Sequence, residues 1–480
     1  MGTIRRKFYI TTSIAYTNDF PHLGFVLESV QADVIARYHR ILGDDVFFLT
    51  GVDEHGMKIV KKAKEADKEP KEFVDEISSK YKELKKVFNL SNDDFIRTTD
   101  KKKHWPGVKK VWLKLKENND IYKKKYKGLY CVGCEAFILE KDLINGKCPV
   151  HNKKPEIIEE ENYFFKFSKY SKKLKNLIEK DKIKIIPDTR KNETLSLINQ
   201  GLLDISFSRT KERLGWGIEV PEDSTQTIYV WADALVNYIS ALGYDKDSQK
   251  FKKYWPADMH CVGKDILRFH SLIWPAMLLS LGLKLPKKIL VHGFINVNHK
   301  KMSKSLGNVI DPFKLYKRYG ADSVRYYLLR EILPTEDGDF TYEKFESRYN
   351  SDLASGLGNL VARVITMAKK CQSANVAQIK VQVLMDKEIK TTWKNYKEAL
   401  DNFKFNEALA EIWKLISFCD KYIEEQRPWE DTENKSLIIS DLLITLTNIS
   451  EMIKPFLPET SERIIKQIKD KKSKVLFPRI

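Results

Sequence analysis

Phe8-Tyr9-Ile10-Thr11-Thr12, followed by Pro21-His22-Leu23-Gly24-Phe25, decides the fold of this chain. The first run, aromatic and β-branched, reads as a strand, and the second opens a long helical pattern. A strand leading into a helix puts His22 and Gly24 at a helix N-terminus, where unpaired N–H groups and the helix dipole receive an anion. A matching stretch lies much further along. Lys301-Met302-Ser303-Lys304-Ser305 is entered from Ile289-Leu290-Val291 and followed by Gly307. Its two cations and two hydroxyls suit a polyphosphate, and together the two stretches read as an ATP site.

Over residues 1–115 short β-type runs alternate with helix-length patterns: 8–12, the helix from His22, 46–50, a helix over 72–88, then 94–97. That alternation predicts a parallel sheet with crossover helices. The rhythm resumes over 226–310, through 227–230, 260–263, an apolar helix at 266–281 and 289–291. A Rossmann-type catalytic domain is thus expected in two halves, split by a Lys-rich insertion over 116–225 that does not extend the βα rhythm. Residues 311–345 read as a linking region and 346–480 as an all-helical domain. Helices are predicted near 312–319, 323–330, 342–371, 387–403, 405–425 and 435–453.

A chain of 480 residues exceeds one core and suggests about two to four domains. It shows no apolar run of about 18 residues and no leader pattern, so a cytoplasmic protein without a membrane span is expected. The formal charge of +18 favours a polyanionic partner, nucleic acid first, although runs such as Lys123-Lys124-Lys125 also fit solvated faces. Cys261, Cys371 and Cys419 stand alone and read as small core residues. The other three cysteines cluster. Cys131-Val132-Gly133-Cys134 and Cys148-Pro149-Val150-His151 are two knuckles whose spacing fits one tetrahedral zinc closed by three thiolates and one imidazole, hence a structural metal.

The His22 and Lys301–Ser305 stretches resemble the two signatures of class I aminoacyl-tRNA synthetases, and the remainder of the chain is similar to the methionyl-tRNA synthetase family. The resemblance implies a ligase that activates methionine with ATP and Mg2+ and transfers it to tRNA. It assigns the triphosphate to His22 and Lys304, with Lys301 assisting and Gly24 at the turn. Gly263 and Asp265, in His260-Cys261-Val262-Gly263-Lys264-Asp265, stand where a backbone approaches the nucleotide and a carboxylate accepts from ribose. Methionine falls to Asp53 for the ammonium, to Ile14 and Tyr16 beside it, to the rings Trp231 and Tyr238, and to His292. Asn359, Arg363 and Trp429 match the family's anticodon readers, an amide, a guanidinium and an indole suited to unpaired bases.

One position departs. Where the family's first signature ends in a second histidine, this chain has Phe25. One missing hydrogen bond to a charged group costs about 1.5–3 kcal/mol, which weakens a site without silencing it. A non-catalytic RNA-binding relative is therefore an alternative, as is a class I synthetase for another amino acid. The branched-chain enzymes carry a large editing insertion, for which residues 116–225 leave little room beyond the knuckles. A small-molecule nucleotidylyltransferase would account for neither the knuckles nor the anticodon set. Ending at Phe477-Pro478-Arg479-Ile480, the sequence is expected to lack an appended domain and to act as a monomer.

Overall fold

The computed structural model describes residues 5–131, 133, 136–138, 140–149, 152–302, 307–371, 382–430 and 434–480. The chain forms two compact units that interleave along the sequence. One comprises Met1–Pro21, Leu42–Lys85 and Asn92–Val291, the other His22–Ile41, Lys86–Ser91 and His292–Ile480.

The first unit is built on a six-stranded sheet in the order Asp94–Arg97, Asp45–Asp53, Lys7–Tyr16, Met259–Gly263, Lys288–His292, Lys184–Ile186. Lys7–Tyr16 is parallel to both its neighbours, and the outer ladders at each edge are parallel too. Chain order runs outward from Lys7–Tyr16 to Asp94–Arg97 on one side and from Met259–Gly263 to Lys288–His292 on the other, with the earlier Lys184–Ile186 added at that edge, which makes the central pair a topological switch point, where open α/β sheets bind ligands. Burial on both faces explains the unbroken Phe-Tyr-Ile-Thr-Thr run, in which Tyr9, Ile10, Thr11 and Thr12 are all inaccessible.

Three expectations change in this unit. The run at 227–230 does not enter the parallel sheet; Asp223–Ile228 pairs antiparallel with Ser208–Thr210 and with Glu219–Val220. Its polar residues suit a strand with one wet face. Lys184–Ile186, within the segment read as an insertion, pairs in parallel with Lys288–His292 as the edge of the main sheet. Three residues carry too little pattern to be seen without their partner strand. The helix expected over 266–281 is a tight turn at Lys264–Ile266, a widened stretch at Phe269–Ile273 and a regular helix at Trp274–Ser280. Pro275 lacks an N–H and so breaks the regular ladder just after the widened turn.

The rest of residues 116–225 centres on an antiparallel pair, Ile121–Cys131 with Glu156–Phe165. Opposite the lysine run stands an acidic one: Lys123 pairs with Glu161 at 3.7 Å and Lys127 with Glu159 at 3.8 Å. These exposed cross-strand pairs answer part of that strand's charge locally.

The second unit is mostly helical. Leu23–Ile41 leads into it, followed by Pro312–Tyr319 and Ala321–Arg330. Tyr342–Arg348 continues through widened turns at Tyr349–Gly358 into Asn359–Lys370, and Val383–Asp401, Phe405–Gln426, Lys435–Ile453 and Pro458–Asp470 complete it. One strand interrupts the expected helical run: Gly338–Phe340 pairs in parallel with Ile295–Val297, which pairs antiparallel with Lys300–Lys301. Glycine at 338 leaves room for the buried Ile332, whose Cδ1 would lie 2.4 Å from a Cβ there and would have to shift. Lys435–Ile453 is long and apolar enough to cross a membrane, but 67% of its apolar window is buried within the protein, where it serves as a core helix.

A buried ion cluster ties this unit together. Arg325 and Asp33 are both inaccessible and meet at 2.8 Å. The Arg325 guanidinium also donates to the carbonyls of Phe456 at 2.6 Å, Phe88 at 3.0 Å and Pro455 at 2.8 Å. Asp33 accepts in addition from Arg37 Nε at 2.8 Å and from the Ser91 N–H at 2.6 Å. The Leu23–Ile41 helix, the 86–91 segment and the joint before Pro458–Asp470 are thereby joined at one point.

Candidate active site

In the first unit Asp53 ends a central strand, nearly buried. Its partner in the ladder is Tyr16, and Ile14 pairs with Gly51 after a register shift between Thr11 and Ile14. The irregularity falls on Thr12 and Ser13, and the ladder resumes at Ile14. Gly51 must be glycine, since a Cβ would fall 2.3 Å from the Ile96 carbonyl oxygen. The Asp53 carboxylate accepts from Thr98 Oγ1 and from the His55 N–H, each at 3.4 Å.

Trp231 and Tyr238 lie on two short consecutive helices, Val230–Ala234 and Asn237–Ser240. Trp231 stacks on Phe269 with centroids 3.6 Å apart and rings 11° from parallel. The Tyr238 hydroxyl meets His270 Nε2 at 2.7 Å, while His270 Nδ1 meets the Ile266 carbonyl at 3.0 Å. That carbonyl can only accept, so Nδ1 carries a proton, and in the neutral ring Nε2 takes the tyrosine's. His260 packs 4.3 Å from the Tyr238 ring and meets Thr11 Oγ1 at 2.8 Å. Complete burial, aided by His270, pushes the His260 pKa well below its usual value and keeps it neutral.

Phe269 and His270 were not singled out by residue type, yet geometry joins both to the ring cluster. The hint available was Phe269-His270 in the run after Asp265. His292 lies in the second unit, where Nε2 meets Glu28 Oε2 at 2.8 Å and Nδ1 the Gly293 carbonyl at 2.8 Å. Gly263 closes the Met259–Gly263 strand and precedes the turn bearing an exposed Asp265.

The two signatures meet within the second unit. The Gly24 N–H donates to His22 Nδ1 at 3.1 Å, which leaves the proton of the neutral imidazole on Nε2. A Cβ at Gly24 would lie 2.9 Å from His22 Cε1 and 4.0 Å from Met302 Cε. Glycine therefore lets the imidazole fold over the first helical turn with Met302 beside it. The Phe25 N–H donates to the His22 carbonyl at 3.1 Å, and its side chain is half-buried. Lys301 is exposed, its Nζ 5.5 Å from the Phe294 ring centre, and its carbonyl accepts from Asn308 at 3.2 Å. Lys304 lies outside the described residues.

Of the four zinc candidates, Cys131 and Cys148 are described and buried, while Cys134 and His151 lie outside the described residues. Among the described residues no group of three candidate ligands occurs. Cys131 pairs with Ala136 across a hairpin turn. The Cys148 carbonyl accepts from the Asn152 N–H at 2.8 Å and its N–H donates to the Lys153 carbonyl at 2.9 Å, closing a second turn. A buried thiol at the edge of each of two turns fits the donor chemistry of a zinc knuckle.

Further along the second unit, Asn359 is exposed at the start of Asn359–Lys370. Arg363, one turn on, pairs with Glu424 and, at 3.4 Å, with Asp420 on Phe405–Gln426. That helix ends in a left-handed Arg427, φ 43°, and Trp429 just beyond is 51% exposed. An indole so open to water is unusual and suits a stacking platform.

The family described as "tRNA synthetases class I (M)" matches residues 8–152 and 138–365, and "Anticodon-binding domain of tRNA ligase" matches 384–478. The methionine--tRNA ligase of Thermotoga maritima is 45% identical over 475 residues, covering 96% of this chain and 75% of that protein. That of Clostridium perfringens is 46% identical over 479 residues, 97% of this chain and 74% of its own length. The structure of Mycobacterium tuberculosis methionyl-tRNA synthetase in complex with methionyl-adenylate superposes with a TM-score of 0.90 at 36% identity, covering 96% of this chain and 93% of that one. Its apo form gives 0.85 at 32% identity, covering 100% and 99%. With a parallel-sheet catalytic region, a helical C-terminal region and this likeness along nearly its whole length, the chain belongs to the class I methionyl-tRNA synthetase family.

Proposed function

We propose that this chain joins L-methionine to its cognate tRNA. A methionine carboxylate oxygen attacks the α-phosphorus of ATP, the bond to diphosphate breaks, and methionyl-adenylate forms. A hydroxyl of the tRNA's terminal ribose then takes the methionyl group and AMP leaves. Negative charge builds on the phosphate during the first step, and fixed cations and N–H groups stabilise it without any covalent intermediate on the protein. His22, Lys301 and Lys304 take the triphosphate of ATP, which arrives as its magnesium complex. Gly24 opens the helix N-terminus to it, and Gly263 and Asp265 take the ribose. Asp53, Ile14 and Tyr16 hold the methionine ammonium side. Trp231 and Tyr238 take the thioether, which packs well against rings, His292 is assigned to methionine as well, and His270 fixes the tyrosine hydroxyl.

Asn359, Arg363 and Trp429 read the anticodon. Cys131, Cys134, Cys148 and His151 hold one structural zinc, which pins the turns of the inserted region and takes no part in the reaction. The catalytic halves at 1–115 and 226–310, the insertion at 116–225, the linking region at 311–345 and the anticodon-binding region at 346–480 follow from that division of labour. The protein works as a cytoplasmic monomer.

The packing of Met302 against the Gly24 turn carries the ATP assignment, because it brings the two signatures together in one unit. Phe25 favours one second reading, a relative that binds tRNA without turning over ATP. Amino-acid-dependent exchange of labelled pyrophosphate into ATP separates them. Exchange with methionine, and not with isoleucine, leucine, valine or cysteine, is the expected result; no exchange with any of the five supports the second reading.

A further inference from the structure

One aspartate in the first unit has no role in the assignments above. Asp233 is inaccessible, and both its oxygens are taken by imidazoles: Oδ2 by His55 Nδ1 at 2.6 Å and Oδ1 by His104 Nε2 at 2.7 Å. His55 and His104 are themselves buried, and His104 Nδ1 continues to Ser240 Oγ at 2.8 Å. Burial alone raises the Asp233 pKa, but the two histidines outweigh it and hold the carboxyl below its usual range. Such a chain of buried bonds is costly to build unless every member is satisfied, and it then fixes geometry closely.

What it joins is specific. His55 lies two residues past Asp53 on the strand end and donates its N–H to that carboxylate at 3.4 Å. Asp233 lies two residues past Trp231 on the same short helix. Its other arm reaches Ser240, at the end of the Asn237–Ser240 helix that bears Tyr238. The His55 ring is packed 6.2 Å from Trp105 and 5.8 Å from Trp216.

We infer that Asp233, bridging His55 and His104, is a positioning residue for amino-acid selection, locking the strand end that carries Asp53 to the helices that carry Trp231 and Tyr238. The inference rests on the assignment of those three residues to methionine. Asp233 touches no substrate itself. It sets the spacing between the carboxylate that takes the ammonium and the rings that take the side chain, a spacing on which methionine is measured against shorter or branched side chains.

Asp233→Asn keeps the shape but offers one acceptor where two imidazoles need two. His104→Gln loosens the same chain from its far end. In the full-length enzyme, pyrophosphate exchange should show the KM for methionine rising about ten- to hundredfold in Asp233→Asn, the range of a lost charge-assisted hydrogen bond. The KM for ATP should stay within about twofold. Equilibrium binding of methionine, followed by tryptophan fluorescence, gives the same comparison if turnover is lost. A merely structural role lowers the thermal midpoint and the active fraction while leaving both KM values unchanged, and that result overturns the inference. If Asp233→Asn does not fold, His104→Gln decides by the same measurements. Asp53→Ala separates the two levels. If it leaves the methionine KM unchanged, the pocket assignment fails; if it raises that KM while Asp233→Asn does not, only the positioning inference fails.

Discussion

Each unit of this protein holds a completely buried aspartate at the centre of a cluster, Asp33 in one and Asp233 in the other, and the two are answered differently. Asp33 meets two guanidiniums, which carry permanent charge; Asp233 meets two imidazoles, which can donate without being charged. The Asp33 cluster reaches backbone carbonyls of two separate stretches, at Phe88 and at Pro455-Phe456, so it serves as a staple for the helical unit. The Asp233 cluster reaches His55, two residues past Asp53, and Ser240, two past Tyr238, so on the inference above it serves alignment. A second contrast runs parallel. Of the residues assigned to methionine, Asp53, Tyr238 and His292 are buried and each is hydrogen-bonded to a neighbour, and Ile14, Tyr16 and Trp231 are half-buried, whereas His22, Lys301, Asn359 and Trp429 are exposed. On the proposed assignments, the amino acid meets the more buried groups, while polyphosphate and RNA meet groups the solvent can reach.

The sharpest way to break the comparison is Arg325→Leu. It leaves Asp33 short of one partner and three buried carbonyls without a donor, and should cost about 3–5 kcal/mol of stability. Denaturant unfolding checks this, and a loss under about 1 kcal/mol would remove the staple. His22→Ala comes next, at about 2.7–4 kcal/mol of transition-state stabilisation, a hundred- to thousandfold slower adenylation. Since His22 is exposed, the thermal midpoint should move by only a few degrees. Equal losses of rate and folding would place His22 with the buried set.

Trp429→Ala should weaken tRNA charging by about 1–3 kcal/mol, the value of one stacked base, with adenylate formation unaffected. Unchanged charging rates would remove the indole from the anticodon site.

The smallest effect is one of pH. His260 is held neutral in the fold, so its folded pKa lies below the unfolded value of about 6.5. Between those two values the unfolded chain binds the extra proton, and stability therefore falls as pH drops below about 6.5. The slope is at most about 1.4 kcal/mol per pH unit for this group. Thermal midpoints at pH 7.5 and 5.5 should differ less in His260→Asn than in the parent protein; equal differences would show that other groups set the slope.

The legibility of these features in the sequence followed their length and their locality. His22 and Gly24 were readable because the imidazole, the glycine and the helix start lie within three residues. The knuckle spacing and the Asn359–Arg363 pair were local in the same way. Phe269 and His270 were in plain view, yet nothing in their residue types sets them beside Trp231 and Tyr238. Lys184–Ile186 was missed as a sheet strand because a three-residue edge strand is defined by its partner and not by its own pattern.

By itself the sequence determined the alternating α/β character, the two signatures and their order, the change to helix after residue 311 and the family these imply, because each is written in residues close along the chain. Only the tertiary structure decided which strand closes the sheet, that Met302 packs on the Gly24 turn, that Arg325 staples three distant stretches and that Asp233 stands between two histidines. Those are contacts between residues tens to hundreds of positions apart. Chain connectivity does not constrain them; they are fixed by burial, where an unpaired charge or carbonyl is too costly to leave.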